Sequence, residues 1–391
     1  MKVFVIPSWY PSDSHPSTGI FFKEQAIILA KKRPEWSIGI SLWGSHEPKL
    51  WVRFSKPLDA MVKRGSKLPL KSKDSLLLAN YAEFFTPALT WTRKISNGNM
   101  KGIFAACEQN FERYCQYFGK PDIIHAHVSH PAGYVAMLLA GKHHIPYVIT
   151  EHMSPFPTPS YRLDYKKWII PPLQKANLVM AVSANLQRDL LYHKIESLCT
   201  SNYIDDDEFH LGEEHGGVFT FIAIGRLESQ KNYQLMLNAA KVLKATGSQF
   251  MLKILGEGSH RGSLKKYIDQ NGLAGVVTLM GECTREELRK HLQQSNALIN
   301  TSLHENQPVA MLEALATGLP IITTAWDGAE DFIKGELGRV VSFDECQLAK
   351  EMQNQIASST PRKDIRQAYV QRYGSDKVIA QLEQAFTQLL D

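Results

Sequence analysis

The sequence predicts an α/β fold of two doubly wound parallel-sheet domains. Short β-branched apolar runs alternate with longer segments of helical periodicity, which is the pattern of βα units around a parallel sheet. The alternation halts at a polar connector and then begins again. The length of 391 residues exceeds one ordinary core and suits two domains of roughly 200 residues with a cleft between them.

In the first half, strands are expected at 3–6, 37–42, 123–126, 147–150 and 179–182, with helices at 21–32, 131–143 and 184–192. Residues 47–102 fit the alternation poorly and read as an insertion. The connector, 201–217, carries Asp205, Asp206, Asp207, Glu208, Glu213 and Glu214 and reads as an acidic linker. The second half brings strands at 218–224, 251–255, 276–280, 297–300 and 320–323. A closing helix at 375–390 has Val378, Ile379, Leu382, Phe386, Leu389 and Leu390 at helical spacing.

Composition narrows the class. A hydrophobic share of 44% and a charged share of 21% exclude disordered and fibrous chains. Cys107, Cys115, Cys199, Cys283 and Cys346 are scattered and form no C-x-x-C pair, which argues against a disulfide framework or structural zinc and suits a reducing cytosol. No leader is expected before the first strand, and no apolar run approaches the ~20 residues that span a bilayer. Between residues 49 and 73, Lys49, Arg53, Lys56, Lys63, Arg64, Lys67, Lys71 and Lys73 face a single acid, Asp59, with Trp51, Phe54, Leu68 and Leu70 interleaved. This segment reads either as a surface for an anionic membrane or as a solvated loop. No nucleic-acid motif accompanies it.

The most informative stretch is NTSLHENQPVAMLEALATGLPIITT, residues 300–324: a strand end, a polar loop, a helix and another strand. Ligands of open α/β sheets bind at the carboxyl ends of strands. Pro308 suits the first helical position, leaving the N–H groups of Val309 and Ala310 directed out of the helix start as a phosphate site. Glu305 lies in the loop and Glu313 within the helix, so a diphosphate at the helix start would have one glutamate for each flanking sugar. The competing reading has Glu313 paired locally and Glu305 solvated. A second constellation is AIGRLESQKN, residues 223–232, in which Arg226 and Lys231 follow Gly225 at a βα loop. Two cations there match a diphosphate and would stabilise it on departure; ordinary surface basics are the alternative.

In the first half, His152 sits at the tip of one expected strand, with His125 and His127 ending the preceding one, where they face ligands or serve the core. Gly19 offers close backbone approach to a phosphate. Three further patterns are set aside. The D-x-D at Asp205 to Asp207 lies in the connector and reads as a turn. GEGSHR at 256–261 lacks the third glycine of a dinucleotide site, so no nicotinamide cofactor is expected. Two glutamates on such different elements do not flank one glycosidic bond as a hydrolase pair must.

These motifs resemble glycosyltransferase family 4, retaining enzymes of the two-domain GT-B fold. The carriers are E-x7-E at Glu305 and Glu313 continuing into EALATGLPIITT, G-R-L with Q-K-N at residues 225–232, F-x-K-E-Q-A at 21–26, and the histidine after T-E, His152. The resemblance implies that Arg226 and Lys231 bind the donor diphosphate, Glu313 the ribose, Glu305 the donor sugar, and His152 the reaction centre. It also implies two Rossmann-like domains facing a cleft: 1–203, which takes the acceptor and is joined by the returning helix 375–391, and 204–374, which takes the nucleotide sugar. No metal or other cofactor is implied. The implied donor is a UDP-sugar, UDP-glucose first, and the acceptor a glycan or lipid-linked glycan of cell-surface polysaccharide assembly in the cytoplasm. Departures are Asn306, Gln307 and Pro308 where the family has G-F-G, which puts the donor-sugar contacts of Asn306 and Gln307 under this chain's own control. Tyr203 replaces a glycine, and the later G-G-x-x-E is degenerate at Asp327, Gly328 and Glu330. A GT-B nucleotide-sugar epimerase and a non-catalytic sugar-nucleotide sensor remain as alternatives.

Overall fold

The structure, a computed structural model, describes all residues except 13–14, 17, 46, 48–49, 52–70, 92–94, 158–164, 213–215 and 358–360. The chain forms two compact units: residues 1–182, 186–200 and 379–391 make the first, and 183–185 with 201–378 the second.

The first unit carries an eight-stranded sheet in the order β3-β4-β2-β1-β5-β6-β7-β8. Its strands are β1 (Lys2–Pro7), β2 (Ser37–Leu42), β3 (Lys73–Leu78), β4 (Tyr81–Phe85), β5 (Ile123–His127), β6 (Tyr147–Glu151), β7 (Leu178–Ala181) and β8 (Leu198–Cys199). All pairings are parallel except the hairpin of β3 with β4. Val3, Phe4, Val5 and Ile6 of β1 are all buried, as both faces of a central parallel strand must be. Helices α1 (Ile20–Lys32), α2 (Ser96–Phe118), α3 (Tyr134–His143), α4 (Ile170–Lys175) and α5 (Ala184–Tyr192) follow strands of this sheet.

The second unit has a six-stranded, wholly parallel sheet in the order β11-β10-β9-β12-β13-β14. Its strands are β9 (Phe219–Ile224), β10 (Phe250–Leu255), β11 (Val277–Gly281), β12 (Ala297–Asn300), β13 (Ile321–Thr324) and β14 (Gly338–Val341). The helices are α6 (Tyr233–Ala245), α7 (Arg261–Gln270), α8 (Arg285–Gln293), α9 (Val309–Ala316), α10 (Ala329–Phe332), α11 (Glu345–Ala357) and α12 (Arg362–Tyr373). The last helix, α13 (Ser375–Leu390), passes from the second unit to the first at residue 379. In each sheet the chain leaves its first strand in one direction and later returns to the other side. A switch point results between β1 and β5 and between β9 and β12, where open α/β sheets bind ligands.

Several expectations need correction. Residues 47–102 are not simply an insertion, because 73–85 supply the edge strand of the first sheet and its neighbour. The turn-like sequence at 96–99 hid the start of α2, where Asn97, Gly98 and Asn99 take left-handed φ of 48°, 73° and 71°. The helix expected from residue 131 begins at Tyr134, after a π-turn at Ser129–Gly133. The connector is packed rather than loose: Tyr203, Ile204 and Phe209 are buried. The carboxylate of Asp206 accepts from Tyr369 Oη at 2.6 Å and Ser375 N at 2.7 Å. Lys49, Arg53, Lys56, Lys63, Arg64 and Lys67, which carry most of the basic-segment reading, lie outside the described residues, as do Glu213 and Glu214.

Phe386 of α13 is fully buried, stacked on Trp36 with centroids 6.1 Å apart and edge-on to His125 at 5.5 Å. Phe386→Ala should cost about 3–5 kcal/mol in urea denaturation of the full chain; a loss under about 1 kcal/mol would remove this helix from the core of the first unit.

Candidate functional site

At the switch point of the second sheet, the loop after β9 and the loop after β12 are joined by hydrogen bonds. Leu303 N donates to Gln230 O at 2.8 Å and Gln230 Nε2 to His304 O at 2.8 Å. Thr301 Oγ1 lies 3.0 Å from Lys231 O and 3.1 Å from Asn232 O. These bonds bring Lys231 beside Glu305, and the two form an ion pair with side chains 22% and 10% exposed. Gly225, at φ 153°, gives the lysine stem room: a Cβ there would sit 3.1 Å from Lys231 Cε. Arg226, next in sequence, is exposed, and no hydrogen bond or ion pair to its guanidinium occurs among the described residues. The paired glycines that imitate a dinucleotide motif answer to packing: a Cβ on Gly256 would lie 2.1 Å from Gly225 O, and one on Gly258 would lie 2.5 Å from Leu227 O.

Pro308 is the N-cap of α9 rather than its first helical residue, with ψ 122°. The N–H groups of Val309 and Ala310 therefore open the helix and have no carbonyl of the helix to bond. Met311 N already reaches Pro308 O at 3.0 Å. Asn306 and Gln307 turn their side-chain oxygens inward. Asn306 Oδ1 accepts from Asn185 Nδ2 at 3.0 Å, while Gln307 Oε1 accepts from Ser201 Oγ at 3.0 Å and from Asn202 N. These oxygens fasten the loop, so their contribution to a ligand would come through the backbone. Glu313 lies inside α9 with its side chain 3% exposed, and Oε1 is 2.7 Å from Arg285 Nη2. The partner lies 28 residues upstream on another helix, so the pairing is not local, and sequence reading missed it.

In the first unit, β5 and β6 end side by side and bring His127 Nδ1 within 3.2 Å of His152 Nε2. Phe22 of α1 packs on both rings, with centroids 4.8 Å from His127 and 5.1 Å from His152. Buried Glu151 binds the two strand ends together, accepting from Ser129 N at 2.9 Å, His152 N at 2.8 Å and Met153 N at 3.0 Å. Burial raises its pKa, against the pull of these bonds. Burial lowers the pKa of His127 and of His152, each with a further coulombic push from neighbouring histidines, so both rings are neutral hydrogen-bonding groups at neutral pH. Gly19 caps α1 at φ 68°. Its open side is filled by Trp9, whose Cδ1 would stand 2.6 Å from a Cβ, so the close approach that requires glycine is to Trp9. A cavity of about 160 Å³ at the carboxyl ends of β1, β2 and β4 is lined by Tyr10, Ser12, Trp43, Ser45, Glu47 and Phe85.

Among the described residues no group of three or more His, Cys, Asp or Glu is arranged to hold a metal ion. The D-x-D carboxylates serve the protein itself: Asp206 as above, and Asp205 Oδ1 by accepting from Asp207 N at 3.1 Å. No helix among the described residues is long and apolar enough to cross a membrane.

Two parallel sheets, each with a switch point, and a lysine–glutamate pair at the second describe a two-domain α/β protein of the GT-B class. Residues 206–372 match the family model for glycosyl transferases group 1, and residues 93–198 that for glycosyltransferase family 4. By these two matches the chain is similar to the GT-B glycosyltransferases. It is similar to the amylovoran biosynthesis glycosyltransferase AmsK of Erwinia amylovora, 29% identical over 29% of each chain. It is also similar to TuaC of Bacillus subtilis, a glycosyltransferase provisionally assigned to teichuronic acid biosynthesis, 24% identical over 83% of this chain and 81% of TuaC. The match to AmsK thus spans about a third of that relative's length. Among solved structures, Anabaena HepE in complex with UDP superposes with a TM-score of 0.69 at 15% identity, over 99% of this chain and 100% of that one. This likeness extends to the fold.

His125 is buried and hydrogen-bonds Thr150 Oγ1 at 2.8 Å. Burial pushes its pKa from 6.5 down to about 3. Between those values the unfolded chain binds a proton that the native chain does not, so stability falls as pH drops through the window, by about 1.4 kcal/mol per pH unit. His125→Asn should flatten the slope by that amount between about pH 6 and about pH 4 in urea denaturation; an unchanged slope would show that His125 is charged in the native state.

Proposed function

We propose that this chain transfers a hexose from a UDP-sugar, with UDP-glucose as the first candidate, to a glycan or lipid-linked glycan acceptor, retaining the anomeric configuration and using no metal. The observation that carries the reading is the pairing of Lys231 with Glu305 at the β9/β12 switch point. A diphosphate fits the N–H groups of Val309 and Ala310 with Lys231 and Arg226 around it, and charge-assisted bonds of this kind contribute about 1.5–3 kcal/mol each. Glu305, already held by Lys231, is the acceptor for hydroxyls of the donor sugar, and Glu313 for those of the ribose. HepE in complex with UDP and glucose shares the fold, which supports the choice of donor.

In the transfer, the bond from the anomeric carbon to the diphosphate oxygen breaks while the acceptor oxygen bonds to the same face. The acceptor proton passes to the departing diphosphate, whose charge Arg226, Lys231 and the start of α9 stabilise. His152 takes the reaction-centre role as a neutral hydrogen-bonding ring. The aromatic cavity at Tyr10, Trp43 and Phe85, with Glu47 at its wall, has the mixture of apolar faces and a few polar groups that suits an acceptor sugar. The names of AmsK and TuaC support a place in cell-surface polysaccharide assembly, on the cytoplasmic side, with the basic segment 49–73 resting on anionic lipid.

Lys231→Met should lower kcat/KM for the donor by about 100-fold or more, with thermal stabilisation by UDP reduced in parallel; unchanged turnover would remove Lys231 from the site. NMR of the product should show the donor's anomeric configuration, and an inverted product would overturn the same-face displacement. Incubation with donor alone should return it unchanged, whereas an isomerised sugar nucleotide would identify an epimerase. Lys63→Glu, Arg64→Glu and Lys67→Glu together should weaken binding to vesicles containing phosphatidylglycerol, and equal binding would end the membrane assignment.

A further inference from the structure

We propose that Arg285 is a positioning residue for nucleoside recognition, holding the Glu313 carboxylate so that its second oxygen meets the ribose hydroxyls. The proposal rests on the donor reading above. Three observations carry it. First, the buried Glu313 carboxylate is paired with Arg285, with Oε1 2.7 Å from Nη2. A buried carboxylate beside such a partner is held in direction, and a carboxylate has a second oxygen that can accept from a ligand.

Second, Arg285 is itself held from two sides. Its guanidinium carbon lies 4.9 Å over the ring of buried Phe209. Its backbone opens α8 inside a complete capping box, in which Glu287 N reaches Thr284 Oγ1 at 3.2 Å and Thr284 N reaches Glu287 Oε2 at 2.8 Å. A stacked, planar guanidinium fixes an acceptor more tightly than a lysine would.

Third, the arginine stands where local electrostatics disfavours it. The first residue of a helix faces the positive end of the dipole, where acids are preferred, and Glu286 and Glu287 follow there as expected. A cation that breaks the local preference needs a compensating interaction, and Glu313 supplies one. Glu313 follows Val309 by four residues and Ala310 by three on α9, so its carboxylate is on the face of the helix that begins at the proposed phosphate site. The next group out from a bound diphosphate is the ribose.

The test compares dissociation constants for UDP and 2′,3′-dideoxy-UDP by calorimetry on the full chain. In the wild type, loss of the ribose hydroxyls should weaken binding about 10-fold to 100-fold. In Arg285→Met the ratio should fall below about 3-fold, with Arg285→Lys intermediate. Phe209→Leu, which removes the platform and keeps both charges, should lower the ratio in the same direction. If Arg285→Met unfolds, the lysine and leucine variants decide. A wild-type ratio retained in every folded variant would overturn the proposal, since a purely structural ion pair would weaken both ligands equally. A wild type that binds neither UDP, GDP nor ADP would instead overturn the donor reading and this inference with it.

Discussion

The hydrogen bonds that join the loop after β9 to the loop after β12 set the conditions for the rest of the second unit. Two strands that are neighbours in the sheet leave it in divergent βα loops, and without a tie those loops would separate. Gln230 and Thr301 supply the tie through main-chain carbonyls, so it persists whatever surface side chains surround it. A lysine and a glutamate 74 residues apart in sequence then become neighbours. Gly256 and Gly258 set the loop after β10 against the loop after β9, because the backbone at Gly225 and Leu227 passes too closely there for a side chain.

The first unit solves the equivalent problem with a carboxylate. Glu151 collects three backbone N–H groups from the ends of β5 and β6, and two histidines are thereby brought together among aromatic rings. The units thus stabilise the carboxyl ends of their strands by different chemistry. One uses a buried acid whose desolvation opposes ionisation; the other uses amide and hydroxyl groups that stay neutral. A polar group taken out of water must find partners, and in both places those partners are the backbone of the loops being held.

Much of this was legible in the sequence, for identifiable reasons. Strands buried on both faces are dominated by apolar and β-branched residues, so β1, β5, β6 and β9 are visible from the sequence pattern. The edge strand β3 was missed because an edge of the sheet tolerates polar residues, and β4, its hairpin partner, because the pair follows a long basic segment. Arg226, Lys231, Glu305 and Glu313 were legible because glycine, proline and charge recur at strand ends. Their partners were not. Nothing in the sequence near Glu313 indicates Arg285, and nothing near Asn306 or Gln307 indicates Asn185, Ser201 or Asn202. These contacts join residues 28 to 121 positions apart, a separation that only the folded chain resolves. At 306–307, where this chain departs from G-F-G, the amide side chains fasten the loop.

The division of α13 bears on how the chain is made. Residues 379–391 belong to the first unit, and Phe386 covers Trp36 and His125 there. A ribosome translating this message finishes every strand of the second sheet before it reaches those residues. The first unit therefore emerges early but waits, with an indole and an imidazole uncovered, while residues 201–378 are synthesised. Its covering by Phe386 follows synthesis of the whole second sheet, so translation order makes the earliest part of the protein one of the last to close.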